Sequence, residues 1–137
     1  MIEPAINYWA VLVASVAGFG VGWVWHGMLF QKQWMKLAGI TMHSMKKMKM
    51  TPVMSMSLGF VLHLVIAYVL AHFVDYMMAA TFAAGAQLAF WLWLGFMMPI
   101  TAGVWVWEGK DFKLFLLNTA YWLVMLVVMA GILAVWQ

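Results

Sequence analysis

This sequence predicts an all-α membrane protein: an antiparallel bundle of four transmembrane helices, with a short amphipathic interfacial helix between helices 1 and 2. Three observations lead there. The chain of 137 residues is 68% apolar and 8% charged, whereas a soluble domain averages about half apolar and a quarter charged. Its apolar residues form four continuous stretches, each close to or above the roughly 20 residues that a bilayer core requires. All seven lysines follow either the first or the third stretch. So few charges cannot coat a water-facing surface, which excludes a soluble globule, a disordered chain and a nucleic-acid-binding module. There are no cysteines, hence no disulfides, iron–sulfur clusters or thiolate metal sites.

The spans are expected at residues 6–30, 53–73, 81–105 and 112–136, within a single domain of residues 1–137. The segments lack the period-two alternation of a transmembrane barrel. The first span does not read as a signal peptide. Glu3 occupies the place of a basic n-region, and the apolar run is too long for an h-region. Lys32, Lys36, Lys46, Lys47 and Lys49 follow span one, while Lys110 and Lys113 follow span three. By the positive-inside rule those connections face the cytoplasm, and both termini lie outside together with Glu3 and Asp75. Trp34, Trp105 and Trp107 suit the inner interface, and Tyr8, Trp9, Tyr76 and Trp136 the outer one. Trp23, Trp25, Trp91, Trp93 and Trp122 fall deeper, where they pack or line a cavity.

The connections have their own grammar. Gly39 is placed to end an extension of span one, and Thr41 to cap a short helix reaching about Met50. Its methionines Met42, Met45 and Met48 and its lysines Lys46, Lys47 and Lys49 suit a membrane surface. Thr51-Pro52 reads as N-cap and first residue of span two. Short links at residues 74–80 and 108–111 make spans two and three, and spans three and four, antiparallel neighbours.

Within span one, Ala10, Ala14, Gly18 and Gly22 recur every four residues, a stripe that lets a second backbone approach closely. The partner is either span four of the same chain, where Ala130 and Ala134 form a smaller stripe, or span one of another copy. Pro99 interrupts span three and predicts a kink near Gly95.

Polar side chains inside the membrane are the functional candidates. They are His26, His63, Gln87, Thr101, Asn118 and Tyr121, with His72 and Thr119 beside them. His63 and His72 are about 13 Å apart along a helix axis and on opposite faces, and His26 is nearer the other surface. One subunit therefore cannot bring these histidines onto a single ion. A neutral His63 hydrogen-bonded to another helix is the plainer expectation. His72 with Asp75 reads as an interfacial pair. Polar levels about 10 Å apart would need water between them to pass a proton. Met42, Met45, Met48, Met50, Met54 and Met56 with His43 offer soft ligands for Cu(I), but the interleaved lysines oppose a cation. No nucleophile–base arrangement, phosphate loop or carboxylate pair is present, so no enzyme activity and no metal site are expected.

Two stretches carry a resemblance. Residues 25–39, Trp-His-Gly-Met-Leu-Phe-Gln-Lys-Gln-Trp-Met-Lys-Leu-Ala-Gly, resemble the end of the first helix in a family of small bacterial and fungal membrane proteins, domain-of-unknown-function 1761. Trp107-Glu108-Gly109-Lys110, with Phe112 to Asn118 and Ala120-Tyr121-Trp122, is similar to its second hallmark. The resemblance covers essentially the whole chain and implies a compact four-helix integral membrane protein. It implies no activity. His26 stands where the family has an aromatic, Met28 where it has proline and Gln31 where it has glycine. The resemblance favours Asn118 and Tyr121 as a shared polar site, and a bacterial cytoplasmic (inner) membrane as location.

Three functions follow as expectations. The first is a structural or assembly subunit that forms a homo-oligomer or joins a larger membrane complex. The second is a small transporter or channel using His26, Thr101, Asn118 and Tyr121, with Gln87 and His63 further along. The third is a binder of haem, quinone or copper.

Overall fold

The computed structural model describes residues 4–137, so Glu3 lies outside the described residues. The described chain is helical throughout its ordered elements. They are α1 (Tyr8–Val24), α2 (Gln31–Ala38), α3 (Met42–Lys46), α4 (Pro52–Tyr76), α5 (Phe82–Leu92), α6 (Met98–Thr101), α7 (Gly103–Val106) and α8 (Phe112–Val135). Two π-helical turns, Trp25–Leu29 and Trp93–Met97, join α1 towards α2 and α5 to α6. Four helical stretches are long and apolar enough to cross a membrane: Tyr8–Leu29, Pro52–Tyr76, Phe82–Val106 and Phe112–Val135.

The helix ends follow from local chemistry. The Asn7 side chain caps α1 by accepting from the Trp9 and Ala10 amides. Thr41 and Ser44 form a capping box on α3, and Thr51 with Pro52 starts α4. Gly39 closes α2 at φ 71°, in the left-handed region that glycine enters without Cβ strain. Two boundaries differ from expectation. α3 stops at Lys46 rather than near Met50, because the chain turns at Lys47 and no neighbour packs on it to sustain the helix. α4 continues to Tyr76 and closes by an Ala79-to-Val74 backbone bond, with Met78 left-handed at φ 53°. The kink expected at Pro99 is shared with the π turn just before it, and Pro99 itself lies in the first turn of α6.

α8 is the axis of the structure. Within its most apolar window 44% of residues are buried, against 6% for Phe82–Val106. α1 and α5 both pack along it, and α4 packs on α1 and touches α8. Along each pair the contacts run in opposite chain order. Asn7 reaches Trp136 while Trp25 reaches Leu117. Ser15 meets His63 while Phe19 meets Phe60. Phe82 lies against Gly131 while Trp93 reaches Thr119.

The small-residue stripe of α1 is used within the chain. Ala10 and Ala14 are buried, Gly18 lies under Met129 and His63, and Gly22 lies under Tyr121. The stripe on α8 serves a different neighbour: Ala130 and Ala134 sit against Gly85 of α5, where a Cβ would be 2.5 Å from the Ala130 carbonyl oxygen. Spans two and three, though joined by a short link, splay apart because α8 lies between them. Val65, Ile66, Val69, Leu70 and Phe73 of α4 face Leu92, Phe96 and Met97 across a groove of about 400 Å³, with Leu126 of α8 at its floor. Trp23 and Trp91 are about 60% exposed, so neither packs in the interior, and Trp91 instead lines a pocket beside Gln87.

Candidate functional site

Tyr121 is buried on α8, and its neighbours arrive from α1 and α4. Gly22 makes room for it: a Cβ there would lie 2.5 Å from the phenol oxygen. His63 Nδ1 is 2.7 Å from the Gly59 carbonyl oxygen, which can only accept, so Nδ1 carries a proton. His63 Nε2 lies 3.1 Å from the Tyr121 hydroxyl, which lies 3.4 Å from Met125 Sδ. On the other side of the same phenol, His26 stands edge-to-face at a ring distance of 4.9 Å. His26 Nε2 is 3.2 Å from Asn118 Oδ1 and donates to it, and its ring also contacts Trp34.

The Tyr121 hydroxyl carries one proton and has two acceptors within reach, His63 Nε2 and Met125 Sδ.

His26, His63, Asn118 and Tyr121 therefore form one cluster. The expected gap of about 10 Å between polar levels is closed, because the Tyr121 ring spans it, touching both histidines. Thr101 borders the cluster: it shares a cavity of about 30 Å³ with Asn118, Phe115 and Trp122, and its hydroxyl donates to the Met97 carbonyl. Gln87 does not join. It faces outward in a separate pocket of about 490 Å³ with Met77, Met78 and Trp91, since α5 turns that face away from α1. His72 and Asp75 have separate partners, the Tyr68 carbonyl and the Ala5 amide. Among the described residues no three His, Asp or Glu side chains gather as a metal-ligand group.

The family described as "Protein of unknown function (DUF1761)" matches residues 9–134. The chain belongs to this family. No curated protein and no solved structure matches it. Both stretches that resemble the DUF1761 family contribute to the cluster, His26 and Trp34 from one and Asn118 and Tyr121 from the other. His26 makes aromatic edge contacts with Trp34 and Tyr121 and one polar contact with Asn118.

Trp25 and Trp93, expected to pack in the interior, do pack against the core, but the sequence did not show their hydrogen bonds. Trp25 donates its indole N–H to the Leu117 carbonyl at 3.2 Å, and Trp93 donates to the Thr119 carbonyl at 2.8 Å and its hydroxyl at 3.1 Å. Each tryptophan opens a π turn, its own carbonyl accepting the five-residue bond from Phe30 or Met98. A signal was present: Trp23-Val24-Trp25-His26-Gly27 and Trp91-Leu92-Trp93-Leu94-Gly95 are a repeat of Trp-x-Trp-x-Gly. Ser15, fully buried and bonded to the Val11 and His63 carbonyls, was also missed.

Proposed function

We propose that this protein is a non-enzymatic structural or assembly subunit of a bacterial cytoplasmic membrane. It forms an antiparallel four-helix bundle with both termini outside, and it associates with copies of itself or with a larger membrane complex. The observation that carries this reading is the unclosed side of the bundle. α4 and α5 stand apart over Leu126, leaving an apolar groove that the chain itself does not fill. The polar interior supports the same reading. No buried side-chain nitrogen or oxygen among the described residues lacks a hydrogen-bond partner, so the cluster serves to fix α1, α4 and α8 in register. Native mass spectrometry of the protein released in mild detergent tests it. Oligomers or a co-purifying membrane partner are expected, and Val69→Trp, which fills the groove, reduces them. Monomers alone, with no partner, contradict the reading.

A second reading, a small transporter or channel for protons or small cations, is favoured by one observation: His26, Asn118, Tyr121 and His63 lie in unbroken contact. It expects flux in proteoliposomes that His63→Ala lowers at least tenfold. No flux, or flux indifferent to that change, contradicts it.

A further inference from the structure

We propose that the lysine- and methionine-rich connection from α2 to α4 is a docking surface for anionic phospholipid headgroups. This rests on the composition and exposure of the connection, and is independent of what covers the groove.

Between Pro4 and Val74 there is no aspartate or glutamate, while Lys32, Lys36, Lys46, Lys47 and Lys49 all lie in that interval. The acids at the same end, Glu108 and Asp111, sit in another connection with lysines of their own, Lys110 and Lys113. The five positive charges are thus in excess where they stand. Residues 41–50 are all exposed, and α3 packs along no other helix. Nothing in the chain covers Met42, Met45 and Met48, which are 44–66% exposed. Flexible apolar side chains alternating with lysines are unstable facing water. They are satisfied where thioethers enter the acyl boundary and ammonium groups reach phosphate level. The connection lies at the end of the helices where such a boundary must be, because α2 leaves from span one and α4 re-enters as span two. Charge complementarity then selects the lipid: a zwitterionic headgroup leaves the five charges uncompensated, and an anionic one neutralises them.

The test uses the full-length protein, delipidated and offered equal amounts of phosphatidylglycerol and phosphatidylcholine, with adducts counted by native mass spectrometry. Phosphatidylglycerol adducts should predominate. The triple change Lys46→Gln, Lys47→Gln and Lys49→Gln should cut that excess at least tenfold, each lysine near an anionic surface contributing about fivefold. Lys110→Gln with Lys113→Gln should cut it far less. No preference in the unaltered protein overturns the proposal, as does an equal effect of the two sets of changes. Hydrogen exchange on the unaltered protein gives a measurement free of any folding defect. Amides 42–50 should exchange several-fold more slowly in phosphatidylglycerol nanodiscs than in phosphatidylcholine nanodiscs, and equal rates overturn the proposal.

Discussion

α8 is held by two helices that use the same anchor and different interfaces. Against α1, Trp25 bonds the Leu117 carbonyl, and around it the contact is polar: His26 to Asn118, and Tyr121 over Gly22 to His63. Against α5, Trp93 bonds Thr119, and around it the contact is close and apolar, with Gly85 on the Ala130 backbone and Phe82 on Gly131. The repeated Trp-x-Trp-x-Gly has histidine at the fourth position in the first copy and leucine in the second. One substitution within a shared backbone device thus separates a hydrogen-bonded polar interface from one that only packs. Without water in the bilayer core, a π turn and an indole N–H find few competitors for α8 carbonyls.

The close interface should be the easier to break. Gly85→Leu puts side-chain atoms into the Ala130 backbone and should cost about 3 kcal/mol, read as a lowered unfolding midpoint in detergent. Next come the anchors. Trp93→Phe leaves the buried Thr119 hydroxyl without its indole donor and should cost about 2 kcal/mol, against about 1 kcal/mol for Trp25→Phe. Equal losses would show that the second acceptor at Thr119 adds nothing. Gly22→Ala should displace the Tyr121 phenol and destabilise by about 1 kcal/mol, whereas Gly20→Ala meets open space and should stabilise by about 0.5 kcal/mol. Chemical shifts of the His63 and His26 rings should move in the first variant and not in the second. The smallest loss belongs to His26→Phe, which keeps the edge contacts with Trp34 and Tyr121 and loses the Asn118 bond, about 0.6 kcal/mol.

Much of this comparison is legible in the sequence. Continuous apolar runs located the four spans, and Thr41, Thr51-Pro52 and Gly39 marked helix ends because their chemistry is local. The small-residue stripe located the face of α1 that meets α8. What was not legible depends on rotation about helix axes. That Tyr121 stands between His26 and His63, while Gln87 turns away, follows from how α1, α4 and α5 dock on α8. The splaying of α4 and α5 was hidden for the same reason: a short link fixes two helix ends and leaves the rest of their course free. The π turns change the helical period by one residue, which no apolar run records.

The central claim, that the groove between α4 and α5 receives another protein, is tested most directly by a photo-cross-linking amino acid placed at Val69 in intact membranes. A discrete protein–protein adduct is expected from Val69 and none from Trp23, an exposed position on α1 away from the groove. A Val69 probe that captures only lipid, or captures no more protein than the Trp23 probe, would contradict it.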